Sequence, residues 1–340
     1  MGQRHPIDED YENERTGFFS GQRLLILIPL AAIVLVLIFC VIKILIWNKG
    51  TRFSFEGPEN PDALLSESMD YYSVMNSELL AGRDDKETQV LFLGDDILTY
   101  GAQESSISSQ TAAATGATVY NCGFPGSSFA CRYETFNDEY CADAFSFVRI
   151  AYCIKSGDFT LLEAYKTEAD IYDPSFDQAI TQLQMIDFNQ IDMIFLGYGT
   201  YDYLNGYKTV DGNNDKAITS MTGALYTGID VIHEAYPHIR FIVMAPTFCF
   251  YDEGNGTLSA GDIRRVGETD ENLGGYVVAL RAMCELISVS FLDNYFGIPL
   301  NVETAQEYLV DDVHVNDTVR KLIADKVIDF VEHRHKQYVQ

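Results

Sequence analysis

Basic residues are scarce in this chain: 23 Lys and Arg stand against 50 Asp and Glu, a formal net charge of −27. A surface that acidic repels phosphate backbones, and no basic stripe offsets it, so no nucleic-acid partner is expected. Seven cysteines occur, none as a Cys-x-x-Cys pair, which argues against a zinc ribbon or a thioredoxin-type site. No internal repeat is present. Charged residues are 21% of the chain and hydrophobic residues 47%, close to an ordinary globular average. That balance rules out wholesale disorder, a collagen-like fibre and a disulfide-dense miniprotein. The length of 340 residues suits one large domain or two small ones.

One segment is far more apolar than the rest. Leu24 to Ile42 carries no charge, and the apolar run continues past Lys43 to Trp47. A helix of that length spans the ~30 Å hydrocarbon core of a bilayer. Lys43 can snorkel, and Trp47 suits the interface. The run is too long for a signal peptide, and Lys-Ile-Leu-Ile-Trp-Asn is a poor cleavage site. Pro6 occupies the position where myristoylation wants Ser or Thr. The expectation is therefore an uncleaved single-span anchor over 24–47, after a tail of 1–23. Flanking bases are balanced, with Arg4, Arg15 and Arg23 before Lys43, Lys49 and Arg52, so the positive-inside rule does not set orientation. A short tail before a large domain favours the N-terminus inside and the bulk extracytoplasmic, at the cell membrane. An exported domain permits disulfides, and Cys131, Cys141 and Cys153 lie close enough in sequence for one; the alternative is six small buried hydrophobes.

Residues 48–85 read as a stalk and a leading helix, the helical stretch being Asp62–Ala81. From 86 to 340 short apolar runs alternate with amphipathic stretches. Gln89–Leu93, Ala117–Asn121, Met193–Gly197, Arg240–Ala245 and Val289–Leu292 read as strands buried on both faces. Helices are expected over Phe176–Phe188, Ala217–Tyr236, Leu273–Ile287 and Asp317–Arg334, with an insertion carrying its own helix in Cys131–Asp173. The alternation predicts a doubly wound α/β domain, a three-layer α/β/α sandwich on a parallel sheet. In such sheets the working residues lie beyond the C-terminal strand ends. There the sequence reads Gly94-Asp95-Asp96, then Asn121-Cys122-Gly123-Phe124-Pro125-Gly126-Ser127, then Gly199-Thr200-Tyr201-Asp202, and lastly Asp311-Asp312-Val313-His314.

Those four blocks, in that order and spacing, resemble the SGNH (GDSL) hydrolase family over about Gln89 to Val331. The resemblance implies a flavodoxin-like fold and, for the family, ester hydrolysis or O-acyl transfer, with membrane-anchored members modifying cell-surface polymers. It also implies site residues. Asp96 stands where the family has its nucleophilic serine, and the run from it to Tyr100-Gly101 is one residue longer than usual. Gly123 matches the glycine whose N–H helps form the oxyanion hole. Tyr201 stands where the family has an asparagine donor. Asp311 and His314 match the orienting acid and the base.

The chemistry of the two departures opposes serine-type acyl transfer. A carboxylate attacking an ester would form an anhydride, more reactive than the ester it came from, and would add negative charge where the transition state develops it. Removing a nucleophile or an oxyanion donor costs orders of magnitude, ~10²–10³ for one donor. Alternatives remain. Thr99, Ser105 or Ser106 could supply a hydroxyl, Asp96 and His314 could activate water, or Asp95, Asp96, Asp202, Asp311 and His314 could gather around a cation. Tyrosines and phenylalanines in strand-end loops (Tyr198, Tyr201, Tyr203, Tyr207, Phe248, Phe250, Tyr251) could stack on sugars or form an apolar lid. His333 and His335 read as a solvated helix end, His233 and His238 as capping or surface groups. The expected protein is a membrane-anchored, extracytoplasmic SGNH-like domain without cofactor or metal. It would be degenerate in ester chemistry and bind a cell-surface polysaccharide or acylated glycan, or a membrane protein complex. The other expectation is an active carbohydrate O-acyl esterase or O-acyltransferase with an atypical nucleophile.

Overall fold

A computed structural model describes residues 68–76, 78, 87–168, 173–334 and 338–339. Five strands form one parallel sheet: β1 (Gln89–Gly94), β2 (Thr118–Gly123), β3 (Met193–Gly197), β4 (Arg240–Met244) and β5 (Ser290–Leu292). Their order is β2-β1-β3-β4-β5, every neighbouring pair parallel. Val90, Leu91, Phe92 and Leu93 of β1 are fully buried, as are Ile194, Phe195 and Leu196 of β3. Continuous apolar runs are what a strand covered on both faces requires.

The helices that matter for the site are α1 (Asp96–Thr99), α2 (Ile107–Thr115), α3 (Phe147–Ser156), α4 (Ser175–Met185), α5 (Thr200–Leu204), α6 (Met221–Ala235), α7 (Leu273–Leu286) and α8 (Asp317–Asp329). α2 packs against α8, while α3 packs on α6 and α6 on α7. With right-handed crossovers, this strand order sends those two groups to opposite faces of the sheet. The order reverses between β1 and β3, so the loops after these two strands diverge and leave a crevice. Asp96 and Tyr201 lie in the first turns of the short helices that follow these strands.

Both sheet edges are covered. On β2 the Asn121 N–H donates to Gln182 Oε1 of α4 at 3.2 Å. On β5, Tyr71 exchanges two backbone hydrogen bonds with Phe291, at 2.7 and 2.9 Å. This corrects the leading helix expected over Asp62–Ala81: its described part around Tyr71 is extended, with a short strand at Met75–Asn76. An edge strand with unpaired N–H and C=O groups competes for that segment, and weak helical periodicity does not outweigh it. The insertion carries α3, a second helix at Thr160–Tyr165 and a 3-10 stretch at Asp138–Phe145. Cys131 and Cys153 are buried free thiols, so the disulfide permitted by spacing is not formed. Burial pushes both thiols up to about 11. Among the described residues no helix is long and apolar enough to cross a membrane. The 24–47 segment lies outside them.

Candidate active site

Asp95 ends the first strand-to-helix turn as the N-cap of α1, its Oδ1 accepting the Ile97 N–H at 3.1 Å. That cap fixes the next residue, Asp96, at the start of the helix and over the crevice. Asp95 itself is buried, and burial, reinforced by the neighbouring Asp96 charge, raises its carboxyl well above the usual range.

Asp96 is held from three sides. The Gly126 N–H donates to its Oδ2 at 2.8 Å. The Tyr201 hydroxyl donates to the same carboxylate. His314 Nε2 stands 3.5 Å from Oδ1, a charge contact at the outer limit of a hydrogen bond. Burial works against ionisation, but these donors outweigh it and the Asp96 pKa is lowered. Tyr201 moves the other way: burial and the Asp96 charge push its phenol up, so it stays a donor.

His314 is anchored on its far side, with Nδ1 2.7 Å from Asp311 Oδ2. Asp311 closes its own turn, its Oδ1 accepting the N–H groups of Val313 at 2.9 Å and His314 at 2.7 Å. The Tyr100 ring stacks on the imidazole at 3.9 Å between centroids and 11° between planes. Burial alone would lower the His314 pKa, but the nearby Asp96 carboxylate and the hydrogen bond to Asp311 raise it to about 9. With its pKa raised, the imidazole is biased toward the protonated form, which lacks the free lone pair a general base needs. The cavity lined by Asp96, Tyr201 and His314 measures only ≈ 20 Å³, room for about one water.

The sheet order, the crevice at its reversal and the four strand-end blocks meeting there make the assignment. The chain has the SGNH hydrolase fold. A solved crystal structure matches it over 73% of this chain and 98% of its own length, at 18% identity and a TM-score of 0.51. Two further matches are a lipolytic G-D-S-L family protein from Veillonella parvula and the carbohydrate acetylesterase Est24 from Sinorhizobium meliloti. The first has 17% identity, coverage of 72% of this chain and 99% of that one, and a TM-score of 0.42. For the second the figures are 14%, 71%, 98% and 0.39. No protein-family profile matches the sequence, and no curated protein does.

Within this SGNH-like site, Asp96, Tyr201, Asp311 and His314 come together, and Gly123 does not. Gly123 packs against Thr99 and Leu98, lining a separate pocket behind α1. The backbone donor is Gly126, three residues on, whose φ of +75° turns its N–H toward Asp96. The second glycine of Gly123-Phe124-Pro125-Gly126 was the available signal. Asp202 also leaves the expected acidic cluster. It is fully buried and accepts the N–H groups of Phe129 at 2.8 Å and Ala130 at 2.9 Å, fastening the start of the insertion. Burial raises its pKa to about 7. Among the described residues no three His, Cys, Asp or Glu side chains are grouped to hold a metal ion.

The stand-in hydroxyls are placed elsewhere. Ser106 caps α2 by accepting the Ser109 N–H at 3.1 Å, and Ser105 donates to the Ala102 carbonyl at 3.1 Å. Thr99 faces Gly123, on the other side of α1 from His314. The aromatic residues split as well. Tyr198, Tyr203 and Phe248 are buried and form core rather than a sugar platform. His233 is structural, its Nε2 2.9 Å from the Ile239 carbonyl. Sequence reading missed Tyr100 and Arg320. The buried Arg320 guanidinium donates to the Val315 carbonyl at 2.8 Å, pairs with Asp317 and reaches Ser105 Oγ at 3.4 Å. It ties the α1–α2 loop to the loop carrying His314. A lone arginine on the otherwise apolar inward face of α8 was its only sequence signal.

Proposed function

We propose that this protein is a membrane-anchored, extracytoplasmic SGNH-like domain that no longer carries out serine-type ester chemistry and acts as a binding module for cell-surface glycan. One observation carries the reading. The Asp96 carboxylate sits at the nucleophile position, takes up the Gly126 N–H and the Tyr201 hydroxyl, and stands 3.5 Å from His314 Nε2. A hydrolase needs those groups free for an acyl oxygen and for proton transfer. Here they are turned toward the protein's own carboxylate, in a pocket with room for about one water.

Beside it opens a cleft of ≈ 670 Å³, reaching from Asp96 and Tyr201 to the insertion. Asp138, Glu139, Asp173 and Asn205 line it with hydrogen-bond acceptors, and no Lys or Arg is among the lining residues. Such walls suit a ligand rich in hydroxyl donors, which a polysaccharide is, and repel anions. The anchor is supported by the uncharged run Leu24–Ile42. A second reading, an active O-acyl esterase or acyltransferase, is favoured by the His314–Asp311 pair, which retains a 2.7 Å contact.

Hydrolysis of a small acetyl ester by the full-length protein, measured beside Asp96→Ser, separates the two. The binding reading expects no turnover by the wild type and weak turnover by Asp96→Ser, in which a hydroxyl returns beside His314. Wild-type turnover that Asp96→Ser abolishes would make Asp96 a working catalytic group and overturn it.

A further inference from the structure

The helix α7 breaks the pattern of the other surface helices. Its inward residues Tyr276, Val277 and Leu280 are buried, yet its outward line Gly274, Val278, Ala282 and Leu286, at i, i+4, i+8 and i+12, carries no charge. Its two charged residues, Arg281 and Glu285, pair with each other on the adjoining line, and an apolar line of a helix is ordinarily covered. Val278 is instead 51% exposed. Across from it the loop after β5 presents Phe296, 43% exposed, beside the buried Ile298 and Leu300, and Val210 closes the end at 48%. Helix and loop bound a groove of ≈ 1120 Å³, the most spacious of the cavities described here, on a different part of the surface from Asp96 and His314. Val278, Phe296 and Val210 thus bring exposed apolar side chains together along one groove, the kind of surface a partner covers.

We propose that this groove receives a basic amphipathic helix of a partner protein, a reading independent of the function proposed for the Asp96 cleft. Shape supplies the first half. Gly274 and Ala282 have little or no side chain, so a second helix can lie close to α7, with its apolar residues directed at Val278 and Phe296. Charge supplies the second. The rim carries Asp262, Glu271 and Glu303, and no Lys or Arg lines the groove. The base nearest this rim in an ion pair, Arg265, stands 4.0 Å from Glu271. Two copies facing each other here would oppose acidic rims on chains of charge −27, and an anionic bilayer would be repelled in the same way. A helix with lysine or arginine flanking an apolar face satisfies both the groove and its rim.

The test uses the full-length protein in detergent micelles and a labelled Leu/Lys amphipathic helical peptide, with a Leu/Glu peptide of the same apolar face as its counterpart. Binding is read by fluorescence anisotropy. Val278→Asn and Phe296→Ser, which change apolarity without changing charge, should each weaken the Leu/Lys peptide about tenfold or more. Ile263→Asn removes a 75% exposed apolar side chain outside the groove and should leave binding unchanged. The Leu/Glu peptide should bind at least about tenfold more weakly than Leu/Lys. Equal binding by wild type and Val278→Asn would overturn the proposal, as would equal binding of the two peptides. A dimer lost on Val278→Asn would give the groove to a second copy. Quenching by brominated phosphatidylglycerol of a fluorophore attached at Ala282→Cys would give it to the bilayer.

Discussion

The Gly126 N–H donates to Asp96 Oδ2 at 2.8 Å, so the side chain at the nucleophile position consumes the backbone donor that an acyl oxygen would need. An oxyanion donor contributes to rate only when it is free to meet charge developing in the transition state. In this site the charge is already present, permanent and the protein's own.

Serine-directed phosphonates should therefore leave the wild type unmodified, because no serine is among the residues lining the cavity beside His314. The same reagent should modify Asp96→Ser at the new hydroxyl, slowly, since Tyr201 still fills the side-chain donor position. Intact-mass spectrometry reads both. Stoichiometric modification of the wild type would point to another nucleophile.

His314 should titrate near 9, followed by the imidazole proton signals in NMR. Asp96→Asn removes one of its two carboxylate partners and should move that titration down toward the ordinary histidine range. The linkage has a defined sign. A histidine pKa raised in the fold contributes stability that is complete below its unfolded value of 6.5 and is lost as pH rises through about 9. Thermal stability should fall across that window in the wild type and fall less in Asp96→Asn. Identical pH profiles would show that the contact with Asp96 does not hold in solution.

Asp202 should behave in the opposite sense. Its folded pKa is raised to about 7, so the fold binds its proton more tightly than the unfolded chain does. Stability contributed by this group should decline as pH rises from about 4 to about 7 and then level off. Asp202→Asn should flatten that slope. It also places an amide NH2 against one of the two backbone N–H groups, with an expected cost of about 1–3 kcal/mol in urea unfolding. An unchanged slope would assign the pH dependence elsewhere.

Gly101→Ala tests the clamp made by Arg320. Gly101 has a φ of +92°, and a Cβ there would lie 2.4 Å from Arg320 Nη2. Strain and displacement of the guanidinium together should cost on the order of 1–3 kcal/mol. The His314 titration should shift too, because Arg320 holds the neighbouring Val315 carbonyl. Full wild-type stability would show that the loop repacks freely.

The proposed anchor carries its own expectation. A cysteine introduced at Ser54 should react with a membrane-impermeant maleimide in intact cells. Reaction only after lysis would place the domain on the cytoplasmic side.

Much of the scaffold was legible because parallel strands buried on both faces must be written as unbroken apolar runs. Met193–Gly197 is observed over the range expected, and the other four strands lie within two residues of theirs at either end. The strand-end blocks were legible for a related reason, since the C-terminal ends of such strands are where loops can converge. The segment around Tyr71 was not, because its conformation is set by an edge strand more than two hundred residues away in sequence.

The sequence by itself determined which residue types reach the crevice: an acid in place of the serine, a tyrosine in place of the asparagine, and an Asp-x-x-His turn whose short span lets Asp311 meet His314. Only the tertiary structure decided their partners. Gly126 rather than Gly123 gives its N–H to Asp96 because the direction of a backbone donor depends on the dihedrals of its turn and on the strand beside it. Asp202 left the cluster because two N–H groups of a distant loop needed a buried acceptor. The raised pKa of His314 followed from two carboxylates placed on either side of one ring, an electrostatic sum over positions that become neighbours only when the sheet assembles.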